Sequence, residues 1–250
     1  MVGSPRPRSA PTVAAGGDGV FSPVRAGNAF EETVEHLLGA IRLGRVRPGD
    51  RLPPQRELAS RLHVSRVTLR EALRSLEEAG YVRTSRGRRG GTLVVQTSGA
   101  AAAPRPAAIP AETAPALSDA LAFRFALEPA AASLAAGRPV SAAEAARLRR
   151  DLEAVSAAPP AGYRQADSHL HTAIAELSGS PSLASAIGEV RLRINDLLDA
   201  MPLLPPNLEH STRQHVQIVD AVLAGDPTAA RTAMEEHLAA TGALLRGFLG

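Results

Sequence analysis

Apolar residues recur at helical spacing through most of this chain, and breaks in that recurrence divide it into two blocks. In the first block Phe30, Val34, Leu37, Leu38 and Ile41 mark the inward face of a helix over 28–44. A second short helix is predicted over 55–62 and a third over 66–79, the latter with Leu69, Ala72, Leu73 and Leu76 as one apolar stripe. Ser65 stands where an N-cap belongs, and Gly80 ends the helix. Strands near 81–84 and 92–95 then enclose an Arg86–Gly91 stretch whose glycines permit a tight turn. Two short helices, a turn, a longer helix and a β-hairpin spell a winged helix-turn-helix.

The second block differs. Residues 97–115 form a linker dominated by alanine, proline and threonine, in which Pro104, Pro106, Pro110 and Pro115 forbid a continuous helix. Beyond it, Ala- and Leu-rich segments at helical spacing predict six helices, over 117–137, 142–156, 162–178, 182–201, 208–224 and 227–248. The breakers are Pro139, Pro159-Pro160, Gly179-Ser180-Pro181, Pro205-Pro206 and Gly225-Asp226-Pro227, with Asp226 as N-cap and Pro227 at the first helical position. No β-like alternation interrupts this half, so an antiparallel helical bundle follows. The fold class is mostly α: a disordered tail over 1–25, a winged head over 26–96, the linker over 97–115, and an all-helical domain over 116–250.

Charge changes the picture. The formal net charge is only +3, yet residues 1–98 hold 16 Arg against 9 Asp/Glu, while residues 99–250 hold 12 Arg against 16 Asp/Glu. On the third helix Arg66, Arg70 and Arg74 repeat every four residues opposite the apolar stripe. A helix with an apolar back and a guanidinium front suits the DNA major groove, where arginine pairs with guanine edges and phosphates. The competing reading is a small helical subdomain with a solvated basic face. Absence of cysteine excludes disulfides and thiolate metal sites, and absence of lysine excludes a pyridoxal-phosphate domain with its Schiff-base lysine. No apolar run is long enough for a membrane span, and no signal-peptide core opens the chain, so no membrane partner and a cytoplasmic location are expected.

Residues 28–95 resemble the DNA-binding head of GntR-family transcription regulators. The resemblance rests on Pro48-Gly49, Leu52-Pro53, Arg56-Glu57-Leu58-Ala59, Val64-Ser65-Arg66, Thr68-Leu69-Arg70-Glu71-Ala72-Leu73 and Gly80. It implies DNA contacts by Arg56, Arg66, Thr68 and Arg70, with Arg86 and Gly87 in the wing. Val67 departs from the family pattern, because many relatives place a polar residue there. A valine can touch a thymine methyl but cannot hydrogen-bond a base edge.

The bundle carries a second candidate chemistry. Asp167 and His171 lie four apart on one predicted helix, hence on one face, and His215 and His237 fall on the fifth and sixth bundle helices. On spacing alone, such scattered histidines are usually surface or hydrogen-bonded core residues, and metal binding is the minority reading. Residues 117–248 resemble, however, the all-helical FCD effector domain of the FadR-like branch, on the segments ADSHLHTAIAELSGSP, RQHVQIVDAVLAGDP and AMEEHL. That resemblance implies that Asp167, His171, His215 and His237 hold a divalent metal ion, with Zn²⁺ favoured and Ni²⁺ or Mn²⁺ as alternatives. It also places Arg124 against an effector carboxylate, for which its planar fork is suited, and makes Asn195 a further pocket candidate. His36, His63, His169 and His210 are expected to be exposed.

The expected function is a ligand-responsive transcriptional regulator, a repressor that binds a pseudopalindromic double-stranded operator as a homodimer and is released by a small carboxylate effector. Five Phe, two Tyr and no Trp argue against a large aromatic cage for the effector. Two other readings are an architectural DNA-binding protein whose bundle only dimerises, and a metal-dependent hydrolase. The latter lacks a paired general base near the ligands and any HExxH or nucleophile-elbow motif.

Overall fold

The computed structural model describes residues 28–85, 90–95, 113–198 and 203–249. The predicted tail over 1–25 and nearly all of the predicted linker lie outside the described residues. The chain divides into two compact units, one up to Arg105 and the other from Pro106 to Leu245.

The first unit contains α1 (Ala29–Arg42), α2 (Gln55–Leu62), α3 (Arg66–Glu78), β1 (Val82–Ser85) and β2 (Gly91–Val94). The apolar stripe of α3 is buried as its spacing requires, and α1 and α2 both pack against that helix. Val34, Leu37 and Leu38 of α1 and Leu58 and Leu62 of α2 complete the core. Between α2 and α3 the chain turns through His63, which adopts a left-handed conformation with φ 55. Ser65 then caps α3 by accepting a hydrogen bond from the Thr68 amide at 3.0 Å, satisfying one of the orphan donors at a helix start. Gly80, with φ 79, takes the left-handed position after the helix, which L side chains adopt at a cost.

The hairpin is antiparallel, with Val82 opposite Val94 and Ser85 opposite Gly91. Its free edge receives a segment that periodicity did not reveal. Leu52 donates to the Thr92 carbonyl and Val94 to the Asp50 carbonyl, both at 2.9 Å. Residues 50–52 thereby clamp the base of the wing, and Arg51 Nη1 adds a bond to the Gly90 carbonyl at 3.1 Å.

The second unit contains α4 (Thr113–Ala136), α5 (Ala142–Ala157), α6 (Pro160–Leu177), α7 (Pro181–Leu198), α8 (Pro205–Ala224) and α9 (Pro227–Leu249). These are the six helices expected, with two differences at helix starts: α4 begins at Thr113, inside the segment read as linker to 115, and α8 begins at Pro205, where Pro205-Pro206 were read as breakers before a helix at 208. Pro115 causes no break there because a first-turn residue has no intrahelical N–H bond to lose. Helix α4 packs on α6, α7 and α8, and α5 lies across α6 and α8. The core is built from Leu148, Leu170, Ile174, Ile218, Val222 and Met234, with small alanines of α4 letting that helix approach closely. Pro129, within α4, removes one helical N–H donor, so the Phe125 carbonyl loses its usual partner.

Caps fix the helix starts. Ser141 and Glu144 form a reciprocal capping box on α5. Asp226 Oδ1 accepts from the Thr228 and Ala229 amides at 3.1 and 2.9 Å, directly after Gly225 closes α8 with φ 70. Asp226→Ala should therefore cost about 1 kcal/mol, lowering the melting temperature of the bundle by about 3 °C in a thermal scan. An unchanged midpoint would show that the cap contributes nothing to this helix.

Candidate functional site

Two sites need description, one in each unit. In the first, Arg66 and Arg70 on α3 and Arg56 in the first turn of α2 are exposed and make no hydrogen bond or ion pair with a described residue. Val67 stands between the cations of α3 and is 53% exposed. The start of α3 thus combines two unengaged guanidinium groups with the positive end of the helix dipole, a combination that attracts phosphate. Thr68 is half-buried, and its hydroxyl lies 2.9 Å from that of Ser65, within the cap. Arg74 carries less of the face than its spacing suggests, because its Nε pairs with Glu78 at 2.9 Å. Arg86 and Gly87 lie outside the described residues.

In the second unit, Asp167 and His171 of α6, His215 of α8 and His237 of α9 converge, and one donor atom from each lies within 4.8 Å of all the others. His215 Nε2 is 3.1 Å from Asp167 Oδ1 and 3.3 Å from His171 Nε2. The three imidazole centroids are 4.5 to 5.3 Å apart. All three histidines are buried. His237 Nε2 and His215 Nδ1 are buried without a hydrogen-bond partner among the described residues. Orphaned nitrogens of this kind are costly unless something accepts their lone pairs.

Charged side chains surround the imidazoles. Arg191 of α7 donates to Glu128 Oε1 at 3.0 Å and, through Nη2, to Asp167 Oδ2. Arg124 of α4 donates its Nε to Glu128 at 2.7 Å, one helical turn along. Glu128 Oε2 in turn receives His171 Nδ1. Burial alone would raise both carboxyls, but Arg124, His171 and Arg191 hold Glu128 well below the usual carboxylate range. Arg191 and the His215 hydrogen bond do the same for Asp167. Burial, reinforced by Arg191, lowers His171 to about 4. His237 is likewise held well below its ordinary value by burial and by its two neighbouring histidines. At neutral pH these two imidazoles are therefore uncharged, the form a metal ion requires.

The donor set is one carboxylate oxygen and three imidazole nitrogens, which fits a borderline divalent ion such as Zn²⁺ or Ni²⁺. The orphaned Nε2 of His237 fits the same reading.

A cavity of about 80 Å³ adjoins this cluster and is lined by Arg124, Asp167, Arg191, Asn195, Ser211 and His237, among others. Arg124 uses Nε for Glu128, and its terminal nitrogens have no described protein partner. Asn195 lines the cavity and donates to Ser168 at 2.9 Å. Tyr163 donates its hydroxyl to Ser211 at 2.8 Å on the same wall. His63 and His169 are exposed as expected, whereas His36 and His210 are half-buried, their helices packing more tightly than spacing implied.

Glu128, Arg191 and Gln214 were not anticipated. Gln214 places Oε1 3.2 Å from His237 Nδ1. A usable signal existed for two of the three. Glu128 sits four residues after Arg124, and Arg191 interrupts the apolar stripe Ile187, Val190, Ile194, Leu198. A cation in such a stripe needs a buried partner.

Comparisons with known proteins agree with this arrangement. Residues 30–94 match the model for bacterial regulatory proteins of the gntR family, and residues 119–240 match the FCD domain. The HTH-type transcriptional regulator YcbG of Bacillus subtilis (strain 168) is 30% identical over 83% of this chain and 86% of its own length. The Uxu operon transcriptional regulator of Escherichia coli (strain K12) is 31% identical over 76% of each chain. The HTH-type transcriptional repressor NanR of Cronobacter sakazakii is 29% identical over 86% of this chain and 85% of its own. The winged head, the six-helix bundle and these matches together make the chain a member of the GntR family of DNA-binding transcriptional regulators, in the FadR-like branch that carries an FCD domain.

Proposed function

We propose that this regulator is a repressor that grips a pseudopalindromic operator as a homodimer and releases it when a small carboxylate occupies the bundle cavity beside a bound divalent ion. The observation that carries the reading is the juxtaposition of a convergent Asp/His₃ donor set with a cavity that Arg124 lines. Asp167, His171, His215 and His237 would hold the ion, whose remaining coordination positions would accept oxygen donors of the effector. Arg124 supplies the planar fork for a carboxylate, and Asn195 is placed to recognise a polar substituent. A compact hydroxy, keto or sugar acid suits the small cavity.

Repression is supported by the relative NanR, which is named a transcriptional repressor. Pairing of two bundles is supported by a stripe on α4, where Phe123 and Leu134 are 48% and 50% exposed and Leu127 and Ala130 lie between them on the same helical face. A second copy covering that stripe would double the base contacts of one head, each worth roughly 1–3 kcal/mol of discrimination. Such a protein acts in the cytoplasm, where the DNA is. Among the described residues no helix is long and apolar enough to cross a membrane.

Three outcomes follow. Arg66→Ala and Arg70→Ala should each weaken operator binding by about 1–3 kcal/mol, and the double variant should abolish gel shifts while circular dichroism stays unchanged. Retained shifts would remove α3 as the reading element. The parent chain, reconstituted and dialysed, should hold about one divalent ion per chain, and His215→Ala should lose most of it while still binding operator. Equal metal content in the two proteins would refute the ligand set. Arg124→Met should weaken a responsive carboxylate at least tenfold in calorimetric titration with metal content retained, and an identical isotherm would take Arg124 out of the recognition site.

A further inference from the structure

Three imidazoles that share a locus can serve one ion only if each turns the correct nitrogen, unprotonated, toward it. The tautomer is set by whatever the other nitrogen bonds. The three histidines are not alike in this respect. His171 has Nδ1 against the carboxylate oxygen Glu128 Oε2, which only accepts, so Nδ1 carries the proton and Nε2 carries the lone pair. His237 has Nδ1 at 3.2 Å from Gln214 Oε1, an amide oxygen that only accepts, which imposes the same tautomer and leaves the buried, unpartnered Nε2 unprotonated. His215 is the exception. Its Nδ1 has no described partner, while its Nε2 faces Asp167 Oδ1 at 3.1 Å and the Nε2 of His171 at 3.3 Å. Two acceptors confront that atom, so in the ion-free protein it bears the proton. Asp167 is constrained in a parallel way: Arg191 engages Oδ2 and leaves Oδ1 turned toward the imidazoles.

We propose that Glu128 and Gln214 are positioning residues that lock His171 and His237 as Nδ1–H tautomers before any ion arrives, while Arg191 reserves Asp167 Oδ1, so that His215 alone changes tautomer when the centre fills. The inference rests on the metal-centre reading above. The step conserves protons: His215 gives up the proton on Nε2 and gains one on Nδ1, exchanged through solvent. What changes is which nitrogen holds the lone pair. The ring with the unpartnered Nδ1 is the one free to make that exchange, because a partnered Nδ1 would already be committed.

The arrangement also explains why Glu128 is buried among two arginines at 1% exposure. Arg124 and Arg191 keep it ionised, and an ionised carboxylate is the stronger acceptor for His171 Nδ1–H. Gln214 achieves the same orientation for His237 without a further buried charge.

The test uses the full chain labelled with ¹⁵N-histidine and freed of metal, with tautomers read from long-range ¹H–¹⁵N correlations. The expected result is Nδ1–H for His171 and His237 and Nε2–H for His215, with His215 converting to Nδ1–H when Zn²⁺ is added. Gln214→Leu removes the acceptor without stranding a charge. It should release His237 from the Nδ1–H form and weaken Zn²⁺ binding about 10–100-fold in competition with a chelator, while Gln214→Glu restores the tautomer. Glu128→Gln retains an acceptor oxygen, and should keep the His171 tautomer where Glu128→Ala fails to fold. His237 or His171 found as Nε2–H in the parent would overturn the proposal, as would a Gln214→Leu variant with unaltered tautomer and affinity. A parent that binds neither Zn²⁺ nor Ni²⁺ would instead refute the metal centre itself, and this role with it.

Discussion

Four charges, three of them buried and Asp167 half-buried, hold the bundle's interior in one arrangement: Arg124 and Glu128 on α4, Asp167 on α6 and Arg191 on α7. Two cations and two anions cancel, and each carboxylate is bonded by a guanidinium. Neutrality matters because an uncompensated buried charge costs several kcal/mol. The quartet ties α4, α6 and α7 together at the level where the imidazoles of α6, α8 and α9 meet. Removing any one member leaves a partner stranded, so the four behave as a unit rather than as separate salt bridges.

That unit has a consequence for what the cavity can accept. A divalent ion placed among Asp167 and the three imidazoles would add two positive charges to a quartet that is balanced without it. Water can satisfy the ion's remaining positions, but only an anion restores neutrality within a poorly solvated interior. Arg124 lines the cavity, and the hydroxyls of Tyr163 and Ser211 are paired with one another. Under the proposed function ion and anion would therefore be mutually favourable occupants, each binding better in the presence of the other. A long apolar ligand would supply little of the charge that such an ion calls for.

Much of this was legible in the primary structure, for physical reasons that differ from place to place. The stripe of α3 and the caps Ser65 and Asp226 were readable because local spacing and short-range hydrogen bonds determine them. Asp167 and His171 shared a helical face by arithmetic alone. The meeting of His171 with His215 and His237 was not calculable from spacing, since it depends on how α6, α8 and α9 pack; family likeness bridged that gap. Residues 50–52 escaped notice because a three-residue edge has no period to detect. Glu128 and Gln214 escaped for another reason. Their importance lies in what they bond, and a glutamate or glutamine on an Ala-rich helix is ordinarily read as solvated. Start of α4 at Thr113 was missed because proline was weighed as a breaker when, in a first turn, it is compatible with the helix.

The two sites also divide the work of regulation in an unequal way. At the head, Arg66 and Arg70 lack partners among the described residues, so under the proposed function their charge would be available to DNA at the cost of ordering two long side chains. In the bundle the charged groups around the imidazoles are held by mutual ion pairs, while His215 Nδ1, His237 Nε2 and Arg191 Nε have no partner among the described residues. Under that function such a site would spend its binding free energy on choosing between protein shapes rather than on assembling itself. Coupling between distant sites is commonly about 1–3 kcal/mol, or roughly 5- to 150-fold in affinity. Since operator affinity depends on several phosphate and base contacts at once, a shift of that size in which shape prevails is enough to empty a site. Under the proposed function the bundle site would set how much free energy an effector can deliver, and the cationic head would respond to it.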